Sequence, residues 1–149
     1  MNNRKRSNLV RVYRFDLKIE LEESIDEKIK KFVRDILEEE FNKRDYEIAV
    51  VLSSNNYIKK LNKQYLEHNY PTDILCFPYS RGEKLVSDII ISVEKAKTQA
   101  EIYNNSFEGE IFFLVSHGIL HLLGWDDSTP EKRKKMWTRQ KELLKKFVP

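Results

Sequence analysis

The segment from Glu110 to Leu123 constrains this chain more than any other. Ile111, Phe112, Phe113, Leu114, Val115, Ile119, Leu120, Leu122 and Leu123 fall on every side of a helix. A helix that is apolar all round has no face to give to water, so it must run through the middle of the protein. The remaining elements have to wrap around it. With 149 residues to do so, residues 1–149 are expected to form a single domain.

The other segments supply the wrapping. Leu9 to Ile19 alternates, with Leu9, Tyr13, Phe15, Leu17 and Ile19 on one side, and reads as a partly exposed strand. Ser24 and Glu27 resemble a capping box. Behind them Ile25, Ile29, Phe32, Val33, Ile36, Leu37 and Phe41 repeat at helical spacing. Glu47 to Ser53 reads as a buried strand, and Ser54 to Leu66 as a second helix. Thr72 to Phe77, bracketed by Pro71 and Pro78, reads as a third strand, followed by a turn over Tyr79 to Lys84. Val86 to Val93 makes the fourth strand, and Val93, Ala96, Ala100 and Tyr103 mark a helix ending near Asn104 and Asn105. The buried helix stops at Gly124, and a last helix begins near Ser128, Thr129 and Pro130, with Met136, Leu143, Leu144 and Phe147 on its apolar face. The order predicts an α+β fold: a small four-stranded mixed sheet with about five helices, one of them central and buried.

Composition removes several function classes. Even a run as long as Ile111 to Val115 falls far short of the ~20 residues of a membrane span, and none in the chain is longer. Met1 to Arg6 starts basic but has no apolar stretch behind it, so no secretory signal is visible. Cys76 is the only cysteine, which excludes an intrachain disulfide and a cysteine-cluster metal site. A soluble cytoplasmic domain is expected. Charged residues reach 34%, yet 27 Lys and Arg against 24 Asp and Glu leave only +3. That balance neither demands nor excludes nucleic acid.

The buried helix also carries His117 and His121, four residues apart. On a helix this spacing sets both rings on one face, their Cβ atoms about 5–6 Å apart. Gly124 lets the chain turn back, and Asp127 follows. Catalytic zinc typically takes three protein ligands, and His117, His121 and Asp127 are the candidates. A lone histidine in an apolar helix is ordinarily a core residue bonded to a backbone carbonyl. Two at this spacing, followed by a glycine turn and a carboxylate, favour a metal, since each unpartnered imidazole would cost about 1–3 kcal/mol. The spacing is close to the long zinc-protease pattern, but the general-base glutamate of that pattern is replaced by Gly118. That absence argues against peptide hydrolysis.

Ser116-His117-Gly118-Ile119-Leu120-His121-Leu122-Leu123-Gly124-Trp125-Asp126-Asp127 resembles the signature of the YbeY family of rRNA-maturation endoribonucleases, His-Gly-x-Leu-His-Leu-x-Gly-(aromatic)-Asp-His. Leu61-Asn62 with Tyr65, Thr72-Asp73-Ile74-Leu75-Cys76-Phe77-Pro78, Asp88-Ile89-Ile90-Ile91, and Met136 with Leu143-Leu144 match further family segments in order. The resemblance covers about residues 45–147. It implies a metal held at the signature by His117, His121 and Asp127, which would be the catalytic residues, with Zn2+ as the cofactor and other divalent metals admissible. It implies cleavage of single-stranded RNA in 16S rRNA 3′-end maturation and ribosome quality control. The implied partners are rRNA, the small ribosomal subunit and a ribosome-assembly GTPase, with no membrane.

Two departures bear on this. Asp127 stands where most members have a third His; a carboxylate remains a sound ligand but makes the site one unit less positive, which favours harder metals. His68 is a weaker alternative as a third ligand. Leu66 stands where an Arg usually contacts RNA phosphate, and only Lys63 shares its helical face. Ser87 for the usual Gly and Cys76 for the usual Ser are milder, and Cys76 reads as a packed thiol. Asp126 is expected to orient a ligand ring; Asp73 and Asp88 read as structural more than catalytic. Arg4-Lys5-Arg6 and Lys132-Arg133-Lys134-Lys135 are the densest cationic runs, and Tyr70, Phe77 and Trp125 are candidates for base stacking as much as for packing. Two rival functions remain at this level: a metal-stabilised ribosome-assembly binding module without nuclease activity, and a metal-dependent hydrolase of another substrate.

Overall fold

The structure is a computed structural model and describes residues 7–41, 44–66 and 72–148. Its elements run β1 (Asn8–Arg14), α1 (Ile25–Glu40), β2 (Asp45–Ser53), α2 (Asn55–Leu66), β3 (Ile74–Arg81), β4 (Lys84–Ser92), α3 (Val93–Tyr103), α4 (Phe107–Leu122) and α5 (Pro130–Phe147). The sheet order is β1-β2-β4-β3. β1 and β4 lie parallel to β2, and β3 pairs antiparallel to β4. This is the expected α+β architecture with a four-stranded mixed sheet and five helices.

The sheet has two unequal faces because side chains alternate along each strand. Tyr46, Ile48, Val50 and Leu52 of β2 and Leu85, Ile89 and Ile91 of β4 turn to the main core, together with α1, α4 and Met136 and Leu143 of α5. On the other face, Ile58 of α2 packs with Leu75 and Ile90 in a smaller cluster. Helix α4 lies in the centre of the larger layer, with Ile111, Phe112, Val115, Ile119 and Leu120 all buried.

Gly118 explains how α4 comes so close to the sheet. A Cβ there would stand 2.8 Å from Cδ1 of Ile74, 3.3 Å from Cγ2 of Ile89 and 3.4 Å from Sγ of Cys76. The position of the missing protease glutamate therefore faces β3 and β4, and its occupant has to be small.

Several local expectations are corrected. The inward residues of β1 are Val10 and Val12, while Tyr13 and Phe15 are 48% and 54% exposed. The strand ends at Arg14, and Asp16, at φ 56°, turns the chain, so the alternation through Leu17 and Ile19 belonged partly to a loop. Ser24 is itself helical and makes no side-chain cap. The Arg14 guanidinium instead binds the carbonyls of Leu21 and Glu22 and the Asp26 carboxylate at this end. Strand β3 runs through Pro78 to Arg81. It is an edge strand whose register shifts between Pro78 and Ser80, and edges and bulges are where proline is tolerated. Helix α4 starts at Phe107, capped by the Ser106 hydroxyl accepting from the Gly109 N–H.

Candidate metal centre

Helix α4 places His117 and His121 on one side, their ring centroids 4.6 Å apart and the planes 83° to each other. The third group arrives by a defined turn. Gly124 adopts φ +98°; its N–H donates to the His121 carbonyl, and the Trp125 N–H donates to that of Leu120, both at 3.0 Å. These two bonds make a Schellman stop, which reverses the chain and requires a left-handed residue. Trp125 then packs against the core. Asp126 accepts the Ser128 N–H and hydroxyl and an ion pair from Lys132 at 3.0 Å. These partners hold its carboxyl well below the ordinary range, at about 2. Asp126 therefore braces the loop, and its contacts are with Ser128 and Lys132 in place of the expected ligand ring.

The loop so braced presents Asp127. Its Oδ2 lies 3.4 Å from Nε2 of His121 and 3.6 Å from Nε2 of His117. One ligand atom from each of the three residues lies within 4.8 Å of the others. Zinc bonds of about 2.0–2.2 Å at the tetrahedral angle put ligand atoms roughly 3.3–3.6 Å apart. The donor set and its spacing therefore fit a divalent metal ion. All three side chains are partly exposed, between 27% and 39%, so the site opens to solvent.

A residue that sequence reasoning missed fixes the first imidazole. Gln140 of α5 is 2% exposed. Its amide nitrogen donates to the Phe113 carbonyl at 3.1 Å and to the Ser116 hydroxyl at 3.4 Å. That leaves its oxygen, 3.4 Å from Nδ1 of His117, to accept. Nδ1 must then carry the proton, and Nε2 is left with the lone pair that a metal needs. Burial, followed by the neighbouring His121, lowers the His117 pKa, which further favours the neutral ligand form.

Other expected residues lie elsewhere or play other parts. Asp73 accepts from the Gln99 side chain at 3.3 Å and lines a cavity that reaches His117. Asp88 accepts the Tyr79 hydroxyl at 2.7 Å and pairs with Phe77, on the face of the sheet away from α4. Phe77 meets Tyr65 edge-on at 5.8 Å, so both Phe77 and Trp125 serve packing. Cys76 is packed, and burial pushes its thiol up to about 12. The Leu66 side chain, His68, Tyr70 and Arg4-Lys5-Arg6 lie outside the described residues.

A small α+β protein whose central helix gathers two imidazoles and a loop carboxylate defines the class: a protein with a three-ligand site suited to one metal ion. A family model described as Endoribonuclease YbeY matches residues 14–148. An Acetivibrio thermocellus protein named Endoribonuclease YbeY is 37% identical over 145 residues, covering 86% of this chain and 90% of that protein. A Bacillus subtilis protein of the same name is 39% identical over 137 residues, covering 81% and 87%. A solution structure of a Thermotoga maritima protein superposes with a TM-score of 0.65 at 29% identity, covering 93% of this chain and 89% of that one. The chain belongs to the YbeY endoribonuclease family.

Proposed function

We propose that this protein is a metal-dependent endoribonuclease that cuts single-stranded RNA, with His117, His121 and Asp127 as metal ligands and catalytic residues. The observation that carries the proposal is the convergence of Nε2 of His117, Nε2 of His121 and Oδ2 of Asp127 in a chain of an endoribonuclease family. Zinc suits the two imidazoles and the carboxylate, and when bound it supplies Lewis acidity toward a phosphate oxygen. The protein's own part is positioning. Gln140 holds His117 in one tautomer, the Schellman stop sets the reach of the loop, and Asp126 with Lys132 keeps Asp127 aimed at the two rings.

The cellular role that follows from the family is rRNA processing, including 16S rRNA 3′-end maturation and ribosome quality control in the cytoplasm. The small ribosomal subunit and an assembly GTPase would be its partners. No helix among the described residues is long and apolar enough to cross a membrane. Zinc-loaded protein should cut a single-stranded RNA but leave the same sequence intact in a duplex. Chelation should abolish the cut and added zinc restore it. Cleavage that survives chelation, or binding of RNA without any cleavage, would count against the nuclease and favour a binding module.

A further inference from the structure

A cavity of about 820 Å³ opens beside His117 between α3, α4 and α5, within the range of small-ligand sites. Its walls combine aromatic surface, one cation and hydrogen-bonding groups. Tyr103 and Trp137 line it and are 69% and 51% exposed. Rings this large and this open at a cavity mouth keep aromatic surface that the described residues leave uncovered. Lys141 also lines the cavity, its ammonium 4.3 Å from the Trp137 ring centroid.

The inner end is acidic. Glu110 is 6% exposed although it is a carboxylic acid, and it lines this same cavity. It occupies the His117 side of α4, two turns and about 10 Å along the axis. Burial raises its pKa, and a hydrogen bond from the Asn105 side chain works in the opposite direction. Glu110 makes no ion pair with a described Lys or Arg. A carboxylate has acceptor capacity for several donors, so its outer edge can accept more than Asn105 offers.

Resting on the nuclease reading above, we infer that this cavity is a base-recognition subsite, taking the guanine next to the scissile phosphate. A phosphate at the metal site leaves its nucleoside to be placed along the axis of α4. Asp73 and Glu110 make the inner wall repel phosphate, so the backbone stays at the metal and Lys141 while the base turns inward. Tyr103 and Trp137 offer stacking surface, the usual means of holding unpaired bases. Guanine presents two adjacent N–H donors, N1–H and the N2 amine, to the two oxygens of Glu110. Adenine and cytosine set an acceptor beside their single amine, and uracil flanks its one N–H with carbonyls, so each pairs less well with a carboxylate.

Calorimetric titration of the zinc-loaded protein with GMP, AMP, CMP and UMP tests this without relying on catalysis. GMP should bind at least about tenfold more tightly than the other three. Glu110→Gln should reduce GMP to their level. Trp137→Ala, a surface change that keeps the inference testable if Glu110→Gln does not fold, should weaken GMP by at least about fivefold. Equal affinity for all four nucleotides, a preference that survives Glu110→Gln, or GMP binding unchanged in Trp137→Ala would overturn the subsite. A GMP preference in a protein that cuts no RNA would keep the subsite and remove the nuclease. Cleavage beside every base with no GMP preference would do the reverse.

Discussion

The side-chain oxygen of Gln140 stands 3.4 Å from Nδ1 of His117, and this one contact decides which nitrogen of the ring can bind a metal. The orientation of the amide is set by the Phe113 carbonyl, which can only accept and so claims the Gln140 nitrogen. A residue 23 positions away in the chain therefore presets the tautomer of His117, with or without a metal.

Replacing Gln140 by Leu should lower zinc affinity about 10–100-fold, the range found when a partner behind a metal-binding histidine is lost. Competition against a chromophoric chelator measures it. Gln140→Glu, which can still accept from Nδ1, should retain more affinity than Gln140→Leu. Equal affinities in all three proteins would show that the contact has no bearing on the metal.

Asp127→Ala should remove bound metal almost entirely. Asp127→His should keep it and shift selectivity from manganese toward zinc, because imidazole replaces a hard oxygen donor. Parallel zinc and manganese titrations of the three proteins read this directly. An unchanged zinc-to-manganese ratio in Asp127→His would mean that Asp127 is not a ligand.

Gly118→Glu should destabilise the fold by about 3 kcal/mol or more without creating a peptidase. The new side chain is driven at Ile74, Ile89 and Cys76, where it would overpack the core and bury a charge. Urea unfolding and a peptide-substrate panel test the two halves. A stable Gly118→Glu protein with peptidase activity would show that this position faces the metal after all.

Cys76 should resist iodoacetamide at about pH 8.5, where an ordinary thiol is already substantially ionised. Its folded-state pKa is pushed up by burial to about 12 from an ordinary 9.0. The unfolded thiol therefore ionises first. This contribution to stability is complete below about pH 9 and is lost as the pH rises from there toward 12. Rapid labelling of folded protein, or stability flat across that alkaline window, would contradict the burial of the thiol.

Much of this could be read from residue order, for physical reasons that differ by element. Helix α4 was legible because an all-round apolar helix has only one place to go. The convergence of His117, His121 and Asp127 was legible because they sit within eleven positions of one another and the turn between them is written by Gly124. The face of β1 was misread because Leu17 and Ile19 extended a period-2 pattern past the turn at Asp16. Gln140 was overlooked although it carried a signal: it is a polar residue four positions after Met136 and three before Leu143, inside the buried stripe of α5. The part assigned to Asp126 also failed, since sequence adjacency to a ligand does not say which way a carboxylate turns. Tyr103 was counted with the apolar face of α3 although it is 69% exposed, and Trp137 gave no sequence signal, because three separate helices bring them and Glu110 to one cavity.

The most direct test of the central claim is to purify wild type and His117→Ala side by side from one strain. Bound metal would be measured by elemental analysis and cleavage of one single-stranded RNA followed with and without chelator. The account predicts about one metal per wild-type chain and chelator-sensitive cutting, with both lost in His117→Ala. Wild type that holds its metal yet cuts no faster than His117→Ala would contradict it.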